Sequence, residues 1–200
     1  MTDEISTWDK FYNKTQGREP RQLLLDVLDK FPENGSFHAI DLGCGDGTET
    51  AILLSHGWNV LAIDGQPAAI QRLMEKVPKG SEALLQTQIA KFAEVILPPT
   101  DLLHASLSLP FCHPDDFPAL WDKIVNVVKP GGRFAAHFFG TRDSWASETD
   151  MTFHTEEQVR GLLDEFELEF FHERDEDGEA SSGPKHWHVF TVIARKNTAE

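Results

Sequence analysis

Two hundred residues, 40% hydrophobic and 26% charged, suit one α/β domain spanning 1–200 and are too few for a second, separate domain. Eighteen Lys and Arg against 33 Asp and Glu give a formal charge of -15, which repels phosphate backbones and anionic lipid, so neither nucleic acid nor a membrane is expected as a partner. Two cysteines exclude a disulfide framework, and without a leader-like or bilayer-length apolar run the expected place is the cytoplasm, as monomer or homodimer.

In chain order, residues 1–33 read as an N-terminal cap and helix. Trp8-Asp-Lys-Phe-Tyr12 and Gly17-Arg18-Glu-Pro20 lead into RQLLLDVLDKF, whose Leu24, Val27, Leu28 and Phe31 share one helical face, with Pro20 in the first turn. The core, 36–196, then alternates short apolar runs with helical patterns: FHAIDL, a glycine-rich turn with TETAILLSHG, WNVLAID, and PAAIQRLMEKV. That alternation predicts βαβ units and a parallel sheet. Further strands are expected over 83–89, 102–107 and 133–139, with a helix from Phe117 to Val128 that stops at the turn Lys129-Pro-Gly-Gly132. Thr155 and Gln158 form a capping box opening a helix with Val159, Leu162, Leu163 and Phe166 on one side. Two strands, LEFFHE and WHVFTVIAR, follow without a helix between them, so they should pair antiparallel. The acidic stretch Glu173 to Pro184 between them reads as a solvated loop.

The chemistry concentrates at Asp41-Leu-Gly-Cys-Gly-Asp-Gly47, where a strand ends and a helix starts. Glycines 43, 45 and 47 allow a tight turn and let a ligand lie on bare main chain beside unpaired N–H groups. A dinucleotide fingerprint requires a third glycine where this chain has Thr48, and Asp41 and Asp46 would repel a pyrophosphate. S-adenosylmethionine carries an ammonium, a sulfonium and a ribose diol, which suit carboxylates. Asp64, ending the second strand, is placed to accept both ribose hydroxyls.

The turn Asp41 to Gly47, Asp64 after LAI, and VVKPGGRF before the fifth strand together resemble class I, Rossmann-like S-adenosylmethionine-dependent methyltransferases over nearly the whole chain. The resemblance implies a three-layer αβα sandwich around a seven-stranded, mostly parallel sheet of order 3-2-1-4-5-7-6, with strand seven antiparallel. It implies that Asp41, Gly43, Cys44 and Gly45 line the methionine moiety, Asp64 and Gly65 the ribose, and Ser106 the floor beneath the sulfonium. Where such enzymes often place an acid for the adenine amino group, this chain has Lys91, which has no acceptor, leaving the backbone of Lys91 and Phe92 to read the adenine edge. Trp8, Tyr12 and Arg18 lie in a segment similar to the one that folds over the cofactor in small-molecule methyltransferases, including those of the tellurite-resistance group. There the rings would face the sulfonium and Arg18 the methionine carboxylate, or the rings would simply pack as core.

The strand-four end, Ser106 to His113, lacks the Asn/Asp-Pro-Pro-aromatic sequence that resembling enzymes use for amides and exocyclic amines. Phe111, His113, Arg142 and Trp145 are the expected acceptor contacts, with His113 and Arg142 positioning an anionic or polarisable small molecule. His137, His154, His186 and His188 are further possible bases; His186 and His188 alternate like a metal pair but no third ligand is apparent, so no metal is expected. The expected reaction is in-line methyl transfer to a small acceptor, releasing S-adenosylhomocysteine. A non-catalytic S-adenosylmethionine-binding module and an NAD(P)-dependent oxidoreductase remain as alternatives.

Overall fold

The computed structural model describes residues 8, 12–14, 17–180 and 182–198; Phe11, beside Trp8 and Tyr12 in the sequence, and Ser181 lie outside the described residues. Trp8 and residues 12–14 are helical; the helix after them, α1 (Gln22–Leu28), starts one residue after Arg21, so Pro20 precedes it rather than lying in its first turn. Then follow β1 (His38–Leu42), α2 (Thr48–Ser55), β2 (Asn59–Asp64), α3 (Pro67–Lys76), β3 (Leu85–Ile89) and β4 (Thr100–Ala105). The remainder is α4 (Phe117–Val127), β5 (Val128–Gly140), β6 (Phe153–His154), α5 (Glu156–Leu162), β7 (Phe166–Ala180) and β8 (Gly183–Lys196).

One sheet runs β3-β2-β1-β4-β5-β8-β7, with β1 to β5 parallel and β8 antiparallel to both neighbours. This is the expected seven-strand order, β8 being the reversed strand; two-residue β6 adds an eighth by pairing with Phe139 and Gly140. Helices cover both faces, which is why β1 is buried along nearly its whole length. Leu23, Leu24 and Val27 of α1 pack with Leu53 and Leu54 on the side of Ala39, Leu102, Ala135 and Ile193. Ile40, Leu103, Phe134 and Ala136 point the other way, against Phe117, Leu120, Trp121 and Ile124 of α4. The predicted turn after α4 is an interruption inside β5: its ladder to β4 slips between Thr100 and Leu102, and Gly131 takes a φ of 79° there. Thr155 and Gln158 make the reciprocal capping box (2.8 and 3.2 Å).

The acidic loop expectation is overturned. Residues 173–180 and 183–188 continue the ladder of β7 and β8 to its tip, where Ala180 faces Gly183. The pairing sets Asp175 opposite His188 and Asp177 opposite His186, and the two imidazole nitrogens of His186 bond Asp177 and Asp175 at 2.8 Å each. Cross-strand partners thus offset the charge repulsion that made the stretch read as a loop. Since β5 pairs with β8 only up to Val189, this end of the hairpin overhangs the sheet.

Candidate functional site

The glycine turn is built by backbone conformation. Gly43, Gly45 and Gly47 have φ of 79°, 54° and 78°, the left-handed region open to glycine. The turn is tied to β2 by Gly43 and Cys44 N–H donating to Ile63 O (2.8 and 2.9 Å). Asp64 Oδ2 accepts from Gly45 N (2.9 Å) and Oδ1 from Gln66 N (2.8 Å), so one carboxylate orients both the turn and the strand end. Burial raises its pKa, against the pull of those N–H groups. Burial also drives the Cys44 thiol well up, with Asp41 adding to it, so no thiolate forms here.

Asp41 is buried with both oxygens engaged: Oδ1 faces His104 Nδ1 at 3.0 Å and Oδ2 accepts from Thr50 Oγ1 at 2.6 Å. His104, fully buried, has no partner for Nε2 among the described residues and borders the cavity. Sequence reading passed over it; the two-residue spacing of His104, in β4, from Ser106 just past its end was the available signal.

Above these elements lies a cavity of about 950 Å³, at the upper end of small-molecule sites. It is bordered by every sequence-predicted site residue except one: Trp8, Tyr12, Arg18, Asp41, Gly43, Cys44, Gly45, Asp64, Gly65, Lys91, Phe92, Ser106, Phe111, His113 and Trp145. At the β3 end Glu94, three residues past Lys91, also borders it and supplies a carboxylate the sequence reading did not use. Arg18 is clamped on Glu49, with Nη1 to Oε1 at 2.6 Å and Nη2 bonded to Oε2. Burial opposes ionisation of Glu49, but the Arg18 hydrogen bonds and charge prevail and hold it down to about 2.

Beyond Ser106 the cavity becomes aromatic. Trp8 stacks on Tyr12 (6.2 Å) and meets Phe111 edge-on (4.9 Å), and Phe139, Trp145 and Trp187 stand about one another at 6.0 Å. Lys185 lies 3.8 Å from the Trp145 ring centroid, with its ammonium held by Asp143. The overhanging hairpin closes the chamber, and Lys14 Nζ reaches the tip at Ala180 O (3.2 Å). The chain turns into this region at Leu107, the one described non-glycine residue with positive φ (53°). Such a conformation costs about 1–2 kcal/mol and recurs at functional sites. His113 sits half-exposed at the rim, its Nδ1 accepting from Asp115 N (3.2 Å).

Arg142 is the exception. It borders no part of the cavity and pairs on the hairpin with Glu173 and Asp175, both at 2.6 Å. Arg142→Ala is therefore expected to leave cofactor affinity and the acceptor KM at wild-type values; a raised KM in steady-state kinetics would return it to the site. Of the other histidines, His137 borders the cavity, with burial and then the charge of Arg21 pushing it down to about 3. His154 lies on the far face against Phe117 and Phe138. Hairpin pairing does bring third ligands, Glu173 and Asp175, to His188, but His188 Nδ1 accepts from Arg142 N (3.0 Å). Its Nε2 is left carrying the proton toward Glu173 (2.8 Å), so neither nitrogen is open to a metal.

Residues 39–132 match the model of a methyltransferase domain. Over 112 residues the chain is 30% identical to trans-aconitate 2-methyltransferase of Paracidovorax citrulli, covering 55% of this chain and 42% of that protein. The chain spans less than half the length of the curated relatives it matches. The crystal structure of TehB from Haemophilus influenzae superposes with a TM-score of 0.77 at 17% identity, over 95% of this chain and 67% of that one. Burkholderia thailandensis 1,6-didemethyltoxoflavin-N1-methyltransferase, solved with 1,6-didemethyltoxoflavin and S-adenosylhomocysteine, gives 0.67 at 18%, over 94% and 84%. The glycine turn, the strand order and the match of residues 39–132 to a methyltransferase domain agree, and the fold is that of the Rossmann-like S-adenosylmethionine-dependent methyltransferases.

Proposed function

We propose that this chain transfers the methyl group of S-adenosylmethionine to a small anionic or polarisable acceptor, within one catalytic domain. The observation that carries the reading is the single cavity running from Asp64 and the glycine turn into the aromatic chamber. The ribose diol would lie on Asp64, the methionine chain along Gly43 to Gly45, and the adenine at Lys91 to Glu94. The methyl group would then face Ser106, with the acceptor entering from the β5 side. Rings at the reaction centre exclude water and present π faces to the sulfonium.

The attack is in line on the methyl carbon, and the C–S electron pair stays on sulfur. A general base works best with a pKa near the operating pH. His137, pushed down to about 3 chiefly by burial, stays a neutral hydrogen-bonding group instead. The site thus suits a nucleophile that arrives already deprotonated. A curated relative named for trans-aconitate, a small polycarboxylate, accords with this.

Calorimetry with S-adenosylmethionine, S-adenosylhomocysteine and NAD in parallel, followed by a screen of small acceptors for S-adenosylhomocysteine release, tests the reading. Binding of NAD alone would overturn it; binding without turnover across the screen would favour a non-catalytic module. Asp64→Ala is expected to weaken S-adenosylhomocysteine by about 1.5–3 kcal/mol, the range for charge-assisted hydrogen bonds. The variant should also lose thermal stability, because Gly45 and Gln66 lose their acceptor. An unchanged dissociation constant would remove Asp64 from the ribose.

A further inference from the structure

Arg21 brings to this cavity a guanidinium whose own N–H groups are left unbonded among the described residues. Its backbone N–H donates to Glu49 Oε1 (3.1 Å), but among the described residues its guanidinium has no hydrogen-bond or ion-pair partner. Every other described arginine has found an oxygen acceptor. Burial and then the charge of Arg18 lower the pKa of Arg21, against the nearby carboxylates of Glu49 and Asp46, and a guanidinium stays protonated. Donors of a half-buried charge that are taken from water without an acceptor cost free energy. Such a group is explained by a ligand that completes it.

The surroundings say where that ligand sits. Helix α1 packs over Ala135 of β5 and Ile193 of β8. Two residues along the same faces come His137 and Thr191, paired across the strands, and His172 of β7 pairs with Thr191 in turn. All three border the same cavity as Arg21. After burial, the charge of Arg21 is the next cause depressing His137, which puts the guanidinium near His137 of β5. Arg18, the other cation nearby, is spent on Glu49.

We propose that Arg21, with His137 and Thr191, binds a carboxylate of the methyl acceptor, making the acceptor class a small carboxylic acid. This rests on the methyl-transfer reading above. The fork of the guanidinium matches a carboxylate in bidentate fashion, and the imidazole and hydroxyl supply further donors. In a chain of charge -15 a local cation is what lets an anion settle there. The anchored carboxylate fixes the acceptor while its nucleophilic atom takes the methyl carbon.

The test titrates trans-aconitate, succinate and benzoate, and the amide of each, into S-adenosylhomocysteine-loaded wild type and Arg21→Met. At least one acid should bind the wild type, with its amide and the variant each weaker by tenfold or more. Affinities for S-adenosylhomocysteine and 5′-methylthioadenosine should be unchanged in the variant, and its ligand-free unfolding midpoint should stay at the wild type's, since no hydrogen bond of the guanidinium is lost. A merely structural role for Arg21 would lower that midpoint. No acid bound, acid and amide bound alike, or acid affinity kept in the variant would each overturn the proposal. So would weaker S-adenosylhomocysteine with unaltered 5′-methylthioadenosine, which would give Arg21 to the cofactor's own carboxylate. A wild type that binds no S-adenosylhomocysteine would fail the methyl-transfer reading itself, and this inference with it.

Discussion

Arg18→Met is expected to lower the unfolding free energy by about 3–5 kcal/mol, the cost of stripping one partner from a buried ion pair. Glu49 is 3% exposed, and besides Arg18 only the Arg21 N–H bonds it among the described residues. Its ionisation is linked to folding. A carboxylate held at about 2 instead of 4.5 contributes on the order of 3 kcal/mol above the unfolded value, and that contribution is lost as pH falls from about 4.5 toward 2. Without Arg18, burial, the largest single influence on Glu49, is opposed only by the Arg21 N–H and the charge of His104, and its pKa rises. Acidification then relieves the variant where it weakens the wild type, and the gap between them narrows at low pH. Urea titrations at pH 7 and pH 4 check both parts. Arg18→Met combined with Glu49→Leu should recover most of the loss, because no lone charge remains. A single variant as stable as the wild type would show that the clamp contributes nothing.

Gly45→Val should abolish S-adenosylhomocysteine binding while leaving a folded protein. A Cβ built on Gly45 meets only Tyr12 Cε1, at 3.7 Å, so the space beside it is the cavity itself. The cost to the fold is the left-handed conformation, about 1–3 kcal/mol. Gly47 is the contrast: a Cβ there comes within 2.8 Å of the Leu73 Cα of α3, and the helix would have to move. Gly47→Val should therefore unfold the domain. Thermal midpoint and ligand titration on the same samples separate the two glycines. Equal destabilisation of both variants, or retained affinity in Gly45→Val, would make the turn a purely structural one.

The glycine turn, Asp64 and the strand order were legible because they depend on neighbours in sequence: a strand end, a turn, a helix start. Arg21, His104 and His137 were not, because their meaning comes from register. His104 meets Asp41 only through the pairing of β1 with β4, 63 residues apart. Arg142 was misplaced for a related reason. Its position after β5 does lie at the ligand edge, but the overhanging hairpin sets Glu173 and Asp175 beside it. The period-two spacing of Glu173, Asp175 and Asp177, answered by His186 and His188, is a strand signature that net acidity concealed.

Among the described residues, fifteen-residue β7 is the last strand of the sheet on its side, and one row of its backbone donors and acceptors has no strand beyond it. A free edge of that length is a template on which a second chain can add. Glu167, Glu169, Glu173, Asp175, Glu176, Asp177 and Glu179 lie along it. Two such edges brought together would oppose carboxylate to carboxylate, so part of the chain's acidity serves to keep copies from zipping into a continuous ribbon. The same acids that tie the hairpin to its histidines make its outer side colloidally repulsive, and neutralising them would remove both effects together.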